Sequence, residues 1–243
     1  MKYLLNTLTL LLPLFAFAQL TTGMVAYKET IQLNINIDES SSQFAHLLPS
    51  SQSDNFVLRF TPEEAYYSVA EVAPPPPVPQ AEGEGTFQIK IIRSNGNSAV
   101  YTHFADKKMV EQRSIFGRPF RIEQQLDQVD WKLTNEQKDI LGYTCFKATS
   151  GPDSMLITAW FTPQIAVPGG PATYGQLPGM ILEVEVDNIH LVATEIKAEL
   201  DDATLIKGPA KGKIVTEEEF DRLEQEKMDE LNIRSGRRIE IRG

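Results

Sequence analysis

"YGQLPGMILEVEVDNIHLVATEI", residues 174–196, holds a turn, a strand, a second turn and a second strand. Met180, Leu182, Val184 and Val186 alternate with Ile181, Glu183 and Glu185, the period-two pattern of a strand whose two faces meet different surroundings. Asp187-Asn188 is a tight-turn pair that returns the chain into "IHLVATEI". Upstream, Pro178 pre-sets φ for one central position of a turn and Gly179 supplies positive φ at the next, so Leu177–Met180 predicts a type II turn. Strands joined this tightly pair antiparallel, and that decides the fold class.

The same pattern extends outward. "TCFKATSGPDSMLITAWF", residues 144–161, reads as a hairpin about Ser150–Asp153. Its first arm puts Tyr143, Cys145 and Lys147 on one face and Thr144, Phe146 and Ala148 on the other. "GRPFRIEQQ" and "MVEQRSIF" are strands separated by Gly117, with "ADKK" at 105–108 as the preceding turn. Asn95-Gly96 is a strong hairpin signal. "FVLRF" at 56–60 and "EAYYSVA" at 64–70 form a pair, and "TIQLNINID" at 30–38 alternates as a half-buried strand. The Ser-rich run after it reads as a loop with one helical turn near Phe44–Leu48. "WKLTNEQKDIL", residues 131–141, has no such alternation and predicts a bend ending at Gly142.

Two segments differ. Consecutive prolines lack the N–H that a ladder needs, so "APPPPVPQAEGEG" at 73–85 is a Pro-rich loop inside one domain. Near 216–232, Thr216 followed by Glu219 gives a capping box, and Phe220, Leu223, Met228 and Leu231 a modest apolar stripe, predicting a C-terminal helix. The expected fold is therefore mostly β: an antiparallel meander, as a curved sheet or half-open barrel, with a C-terminal α-helix.

The N-terminus predicts export. Lys2, the apolar run Leu4–Phe17 and the small-x-small site Ala16-Phe17-Ala18 make residues 1–18 a signal peptide, with a mature chain starting at Gln19. The remaining 19–243 suits a single β domain in the periplasm or at the outer-membrane periphery, with no further transmembrane segment. A net charge of -10 argues against nucleic acid as a partner. The lone cysteine, Cys145, rules out an internal disulfide framework, so the chain must bury a true core.

No catalytic constellation is readable. His46, His103 and His190 have no ligand-type neighbour at metal spacing, so no metal and no cofactor is expected. There is no Gly-x-Ser-x-Gly elbow. The glycines between 169 and 179 alternate with prolines that offer no N–H to cradle a phosphate. Glu183 and Glu185 share a strand face and read as its solvated side. Cys145 reads as a buried small hydrophobe, since no neighbouring base or helix N-terminus lowers its pKa. No catalytic residue is assigned, and the reading leans away from an enzyme.

Three blocks, "WKLTNEQKDILGYTCFKAT", "AWFTPQIAVPGGP" and "YGQLPGMILEVE", together resemble the GLPGLI family of exported bacterial envelope proteins. Residues 176–181 match its hexapeptide with Gln176 for the first Gly and Met180 for the Leu, keeping Leu177, Pro178, Gly179 and Ile181. The Gln implies that this first position need not take positive φ. Trp131, Gly142, Tyr143, Cys145, Lys147, Ala148, Ala159, Trp160, Gly170 and Pro171 also match. The resemblance implies an exported envelope protein, of a family whose function is uncharacterised, and carries no catalytic residues across. The signal peptide, the meander and the absent catalytic constellation make a non-catalytic binding or accessory protein the leading reading, with an apolar small molecule or an envelope protein as partner. The alternatives are a protein–protein module using the Pro-rich loop and the charged helix, and a hydrolase or thiol enzyme.

Overall fold

A computed structural model describes residues 19–33, 50–70, 99–200 and 206–235. The expected signal peptide, the Phe44–Leu48 turn, the Pro-rich loop, the Asn95-Gly96 hairpin and the second half of "TIQLNINID" lie outside them. In chain order the described elements are β1 (Gly23–Gln32), β2 (Ser51–Phe60), β3 (Glu64–Val69), β4 (Ala99–His103), β5 (Lys108–Ile115) and β6 (Arg118–Gln125). There follow β7 (Lys132–Ile140), β8 (Tyr143–Ser150), β9 (Ile157–Thr162), β10 (Met180–Val186), β11 (Ile189–Lys197), β12 (Lys213–Val215) and α1 (Glu217–Ser235).

All twelve strands join one open, curved sheet in the order β12-β6-β5-β4-β3-β2-β1-β11-β10-β9-β8-β7. It is two meanders, β1–β6 and β7–β11, stitched together where β1 pairs with β11 from Met24↔Lys197 to Ile31↔Ile189. Every strand pairing is antiparallel except β12 with β6. The sheet is not a closed barrel, and β7 and β12 are its edges.

Short turns fix the register. Phe116-Gly117 (φ 49 and 79) and Leu141-Gly142 (φ 53 and 82) close the β5–β6 and β7–β8 hairpins with two positive-φ residues each, the backbone of a type I′ turn. Asp187-Asn188 closes β10–β11 as expected, with Asp187 at φ 49. Residues 104–107 make the turn expected before β5, with Lys107 at φ 51.

Three expectations are corrected. Residues 132–140 are not a bend but the edge strand β7. Among the described residues β7 has a strand neighbour on one side only and is wet on both faces, so it lacks apolar alternation; its charges suit an edge that must not pair with another chain. β2 begins at Ser51, inside the run expected as loop, because polar residues 51–55 complete the ladder to β1. The turn at Leu177–Met180 is not type II. The Gly179 N–H donates to the Leu177 carbonyl at 2.7 Å, a γ-turn centred on Pro178, while the Met180 N–H donates to the Ile165 carbonyl at 3.1 Å.

The main core lies on one face of both meanders and includes Val25, Tyr27, Leu58, Phe60, Tyr67, Val184 and Leu191. A smaller core of Ile115, Phe120, Ile122, Val215 and Phe220 seats the helix. The Phe220 ring meets Phe120 edge-on at 5.7 Å, and Arg113 lies 5.0 Å over the Phe220 ring while donating to both Glu217 oxygens at 2.6 and 2.7 Å. Thr216 caps α1 by accepting the Glu219 N–H at 3.2 Å. The returning arm of the capping box is not formed; the Glu219 carboxylate pairs with Lys213 instead, at 3.1 Å. Among the described residues α1 docks through its first turns, with Phe220 buried and Leu223 packed beside it.

Candidate functional site

Between β9 and β10 the chain runs from Pro163 to Gly179 as irregular backbone, and this loop carries the motif residues Gly170, Pro171, Gln176, Leu177, Pro178 and Gly179. Backbone groups leaving the ladder must find partners elsewhere. Here they do so locally: Gln176 N–H to Pro168 C=O at 2.9 Å, Tyr174 N–H to Pro171 C=O at 3.0 Å, and Ile181 N–H to Gly169 C=O at 2.9 Å. Trp131, just before β7, donates its indole N–H to the Gly175 carbonyl at 2.9 Å. Leu20 straps the start of the loop, donating to Gln164 and accepting from Ala166.

Two of the motif glycines, Gly170 and Gly179, are there for space. A Cβ on Gly179 (φ 149) would lie 2.1 Å from the Thr162 carbonyl oxygen, and one on Gly170 2.6 Å from that of Tyr174. Pro171, Leu177 and Ile181 are buried beneath the loop, and the Ile181 carbonyl accepts the Tyr27 hydroxyl at 2.6 Å. Gln176 departs from its expected backbone: its φ is 68. Its side chain offsets that strain by donating to the Asp127 carbonyl at 2.7 Å and accepting the Val129 N–H at 3.4 Å. Ala172 is a second non-glycine at positive φ (51) in the same loop, and such strain gathers where a surface is shaped for use.

The loop does not lie flat on the sheet. Between residues 168–176 and the β1–β6 meander is a cavity of about 480 Å³, within the roughly 300–1,000 Å³ of small-molecule sites. Its floor is Leu58, Ala65, Tyr67 and Val100, and Phe104, Leu126 and Val129 form the side. Thr102, Gln128, Thr173 and Lys107 add polar groups. An apolar floor with a few polar side chains suits a partly apolar small molecule. The floor residues carry no motif and are core-like in sequence; only the fold shows what they line.

The other face of β7–β11 holds the motif residues Trp160 and Lys147. Trp160 pairs across strands with Lys147 and Glu183. Lys138 sits 4.3 Å over the Trp160 ring, and Lys147 5.9 Å from it. Lys138 bonds Glu183 at 2.7 Å, and Lys147 bonds Glu136 at 2.8 Å. Glu183, expected on the solvated side, is only 8% exposed. A bulge between Ile181 and Glu183 breaks the simple alternation, and Lys138, Trp160 and His190 gather over the carboxylate. No motif points to Lys138 or Glu136, because the unalternating sequence of β7 does not declare a strand.

Cys145 is buried, and its thiol donates to the Tyr143 carbonyl at 3.5 Å. Burial pushes the thiol pKa up to about 12, against a smaller opposing pull from Lys138. A thiol so held is almost wholly protonated at neutral pH and is a poor nucleophile. Tyr143 packs half-buried against the core. His103 stands beside Asp106 at 3.3 Å, and His46 lies outside the described residues.

The architecture defines a class: an open sheet of two meanders with a loop-roofed cavity on its core face. The sequence profile of the N-glycanase peptide N-terminal domain, PNGase_F-II_N, matches residues 87–221, more than half of the chain, and the chain belongs to that family. Two solved structures of PNGF-II, in C2 and P21 crystals, each superpose with a TM-score of 0.54 at 16% identity, over 84% of this chain and 33% of theirs. The likeness is one of fold, and the chain spans about a third of the length of those structures. No curated protein matches the sequence.

Proposed function

We propose that the chain is an exported, non-catalytic envelope protein of the GLPGLI type that holds a small, partly apolar ligand in the cavity under the 163–179 loop. The observation that carries this reading is the cavity itself, roofed by motif residues on a strained backbone and floored by apolar side chains. Cys145, the best nucleophile an enzymatic reading had, is buried and protonated, which supports a binding role. Among the described residues no helix is long and apolar enough to cross a membrane.

The family description favours a second reading, in which the domain serves as an accessory part of a glycan-processing system. The two differ in ligand. Protein purified from its native envelope and weighed by native mass spectrometry, before and after denaturation, separates them. A lipid-like or other partly apolar mass released on denaturing supports the first reading, and an oligosaccharide mass the second. No released mass, with no uptake of either class on incubation, overturns both.

A further inference from the structure

On the face of the sheet opposite the cavity, two strands bring an imidazole and two carboxylates together. Glu185 and His190 are direct cross-strand partners in the β10–β11 hairpin, and Glu183 is two residues from Glu185 on the same face. His190 Nε2 lies 3.3 Å from Glu183 Oε1 and 3.8 Å from Glu185 Oε1, and one ligand atom from each residue falls within 4.8 Å of the others. Four ligands at about 2.0–2.1 Å in a tetrahedron stand roughly 3.3–3.4 Å apart, a separation that His190 and Glu183 already match and His190 and Glu185 approach. We propose that Glu183, Glu185 and His190 form a binding site for a divalent zinc-class ion.

The surroundings favour the assignment. The side chain of Glu183 is only 10% exposed, and its second oxygen is held by Lys138 at 2.7 Å, so the first points at His190 from a fixed position. A carboxylate oriented by an outer partner in this way is what a metal site needs around its ligands. The two carboxylates carry two negative charges against one on Lys138, which leaves net attraction for a cation. One imidazole with two carboxylates suits Zn²⁺ or Co²⁺ over Ca²⁺ or Mg²⁺, which take six or more oxygens. Glu185 and His190 are partly open to solvent, so an entering ion finds a path and a fourth position stays open to water. Short hairpin geometry sets the site: a two-residue turn at Asp187-Asn188 fixes which residues face each other.

The test uses Co²⁺ as probe on the full mature chain, with visible d–d absorption and calorimetric titration as readouts. One ion per chain with the intense bands of a four-coordinate site is expected, displaced by Zn²⁺. His190→Ala and Glu185→Gln should each weaken binding roughly tenfold or more; both side chains are partly exposed, so both variants should fold. His103→Ala, beside Asp106 and remote in sequence, should leave the titration unchanged. Absence of saturable binding, or binding insensitive to His190→Ala and Glu185→Gln, overturns the proposal.

Discussion

The two meanders are built from similar strands yet carry their information differently. In β7–β11 almost every motif residue does something visible. Trp131 pins the loop, Gly170 and Gly179 let backbones touch, and Trp160 stacks under Lys138. In β1–β6 the residues that matter to the cavity are Leu58, Ala65, Tyr67 and Val100, indistinguishable in sequence from ordinary core. The cavity exists only where the loop of one half meets the sheet of the other. A distinctive half can therefore point at a site without containing it.

That division is open to mutation, beginning with the largest effect. Gly179→Ala places a Cβ 2.1 Å from a fixed carbonyl at a φ of 149, so it should cost on the order of 4 kcal/mol or more. Urea unfolding checks it; a loss below about 1 kcal/mol would mean that the close approach does not organise the loop. In the other half, Arg113→Ala removes the Glu217 pair and the contact with Phe220 at once, about 1–2 kcal/mol. Its expected signature is hydrogen exchange that quickens in α1 and not in β7–β11.

Cys145 gives a pH test. Its folded pKa of about 12 stands above the ordinary 9.0, so burying the thiol contributes stability fully below pH 9 and loses it as pH rises from 9 toward 12. Cys145→Ala should flatten part of that alkaline decline, and a thiol reagent at pH 7 should label the wild type only after unfolding. Labelling of the folded chain at neutral pH would count against the buried assignment. The smallest effect is expected from Gln176→Gly. Relief of a left-handed φ is set against loss of the bonds to Asp127 and Val129, leaving a net change within about 1 kcal/mol.

How far the sequence is legible follows from the physics of each segment. Strands with one wet and one dry face, such as 56–60, 118–125 and 189–197, declare themselves by alternation. β7 does not, because an edge strand has no dry face over most of its length. Positive φ at Gln176 is unreadable because nothing local offsets it; the stabilising carbonyl belongs to Asp127, 49 residues away. The Glu183–Lys138 contact, between β10 and β7, depends on the register of strands far apart in sequence, which spacing does not encode, whereas the Glu185–His190 pairing follows from the two-residue Asp187-Asn188 turn. Cys145 is readable from its neighbours alone: no base or helix end stands near it in sequence, and it is buried.

Ligand binding in the space between the loop and β2–β4 rests most directly on one comparison. Ala65 lines that space and is 3% exposed, so Ala65→Phe should fill it while leaving the strand pairing to Phe60 and Thr102 intact. Wild type and variant would be purified side by side from the native host and weighed by native mass spectrometry, with thermal unfolding recorded for both. A ligand mass is expected on the wild type and not on Ala65→Phe, with an unfolding temperature for the ligand-stripped proteins that does not fall. The same ligand mass on both proteins, or none on either, would refute the cavity as a binding site.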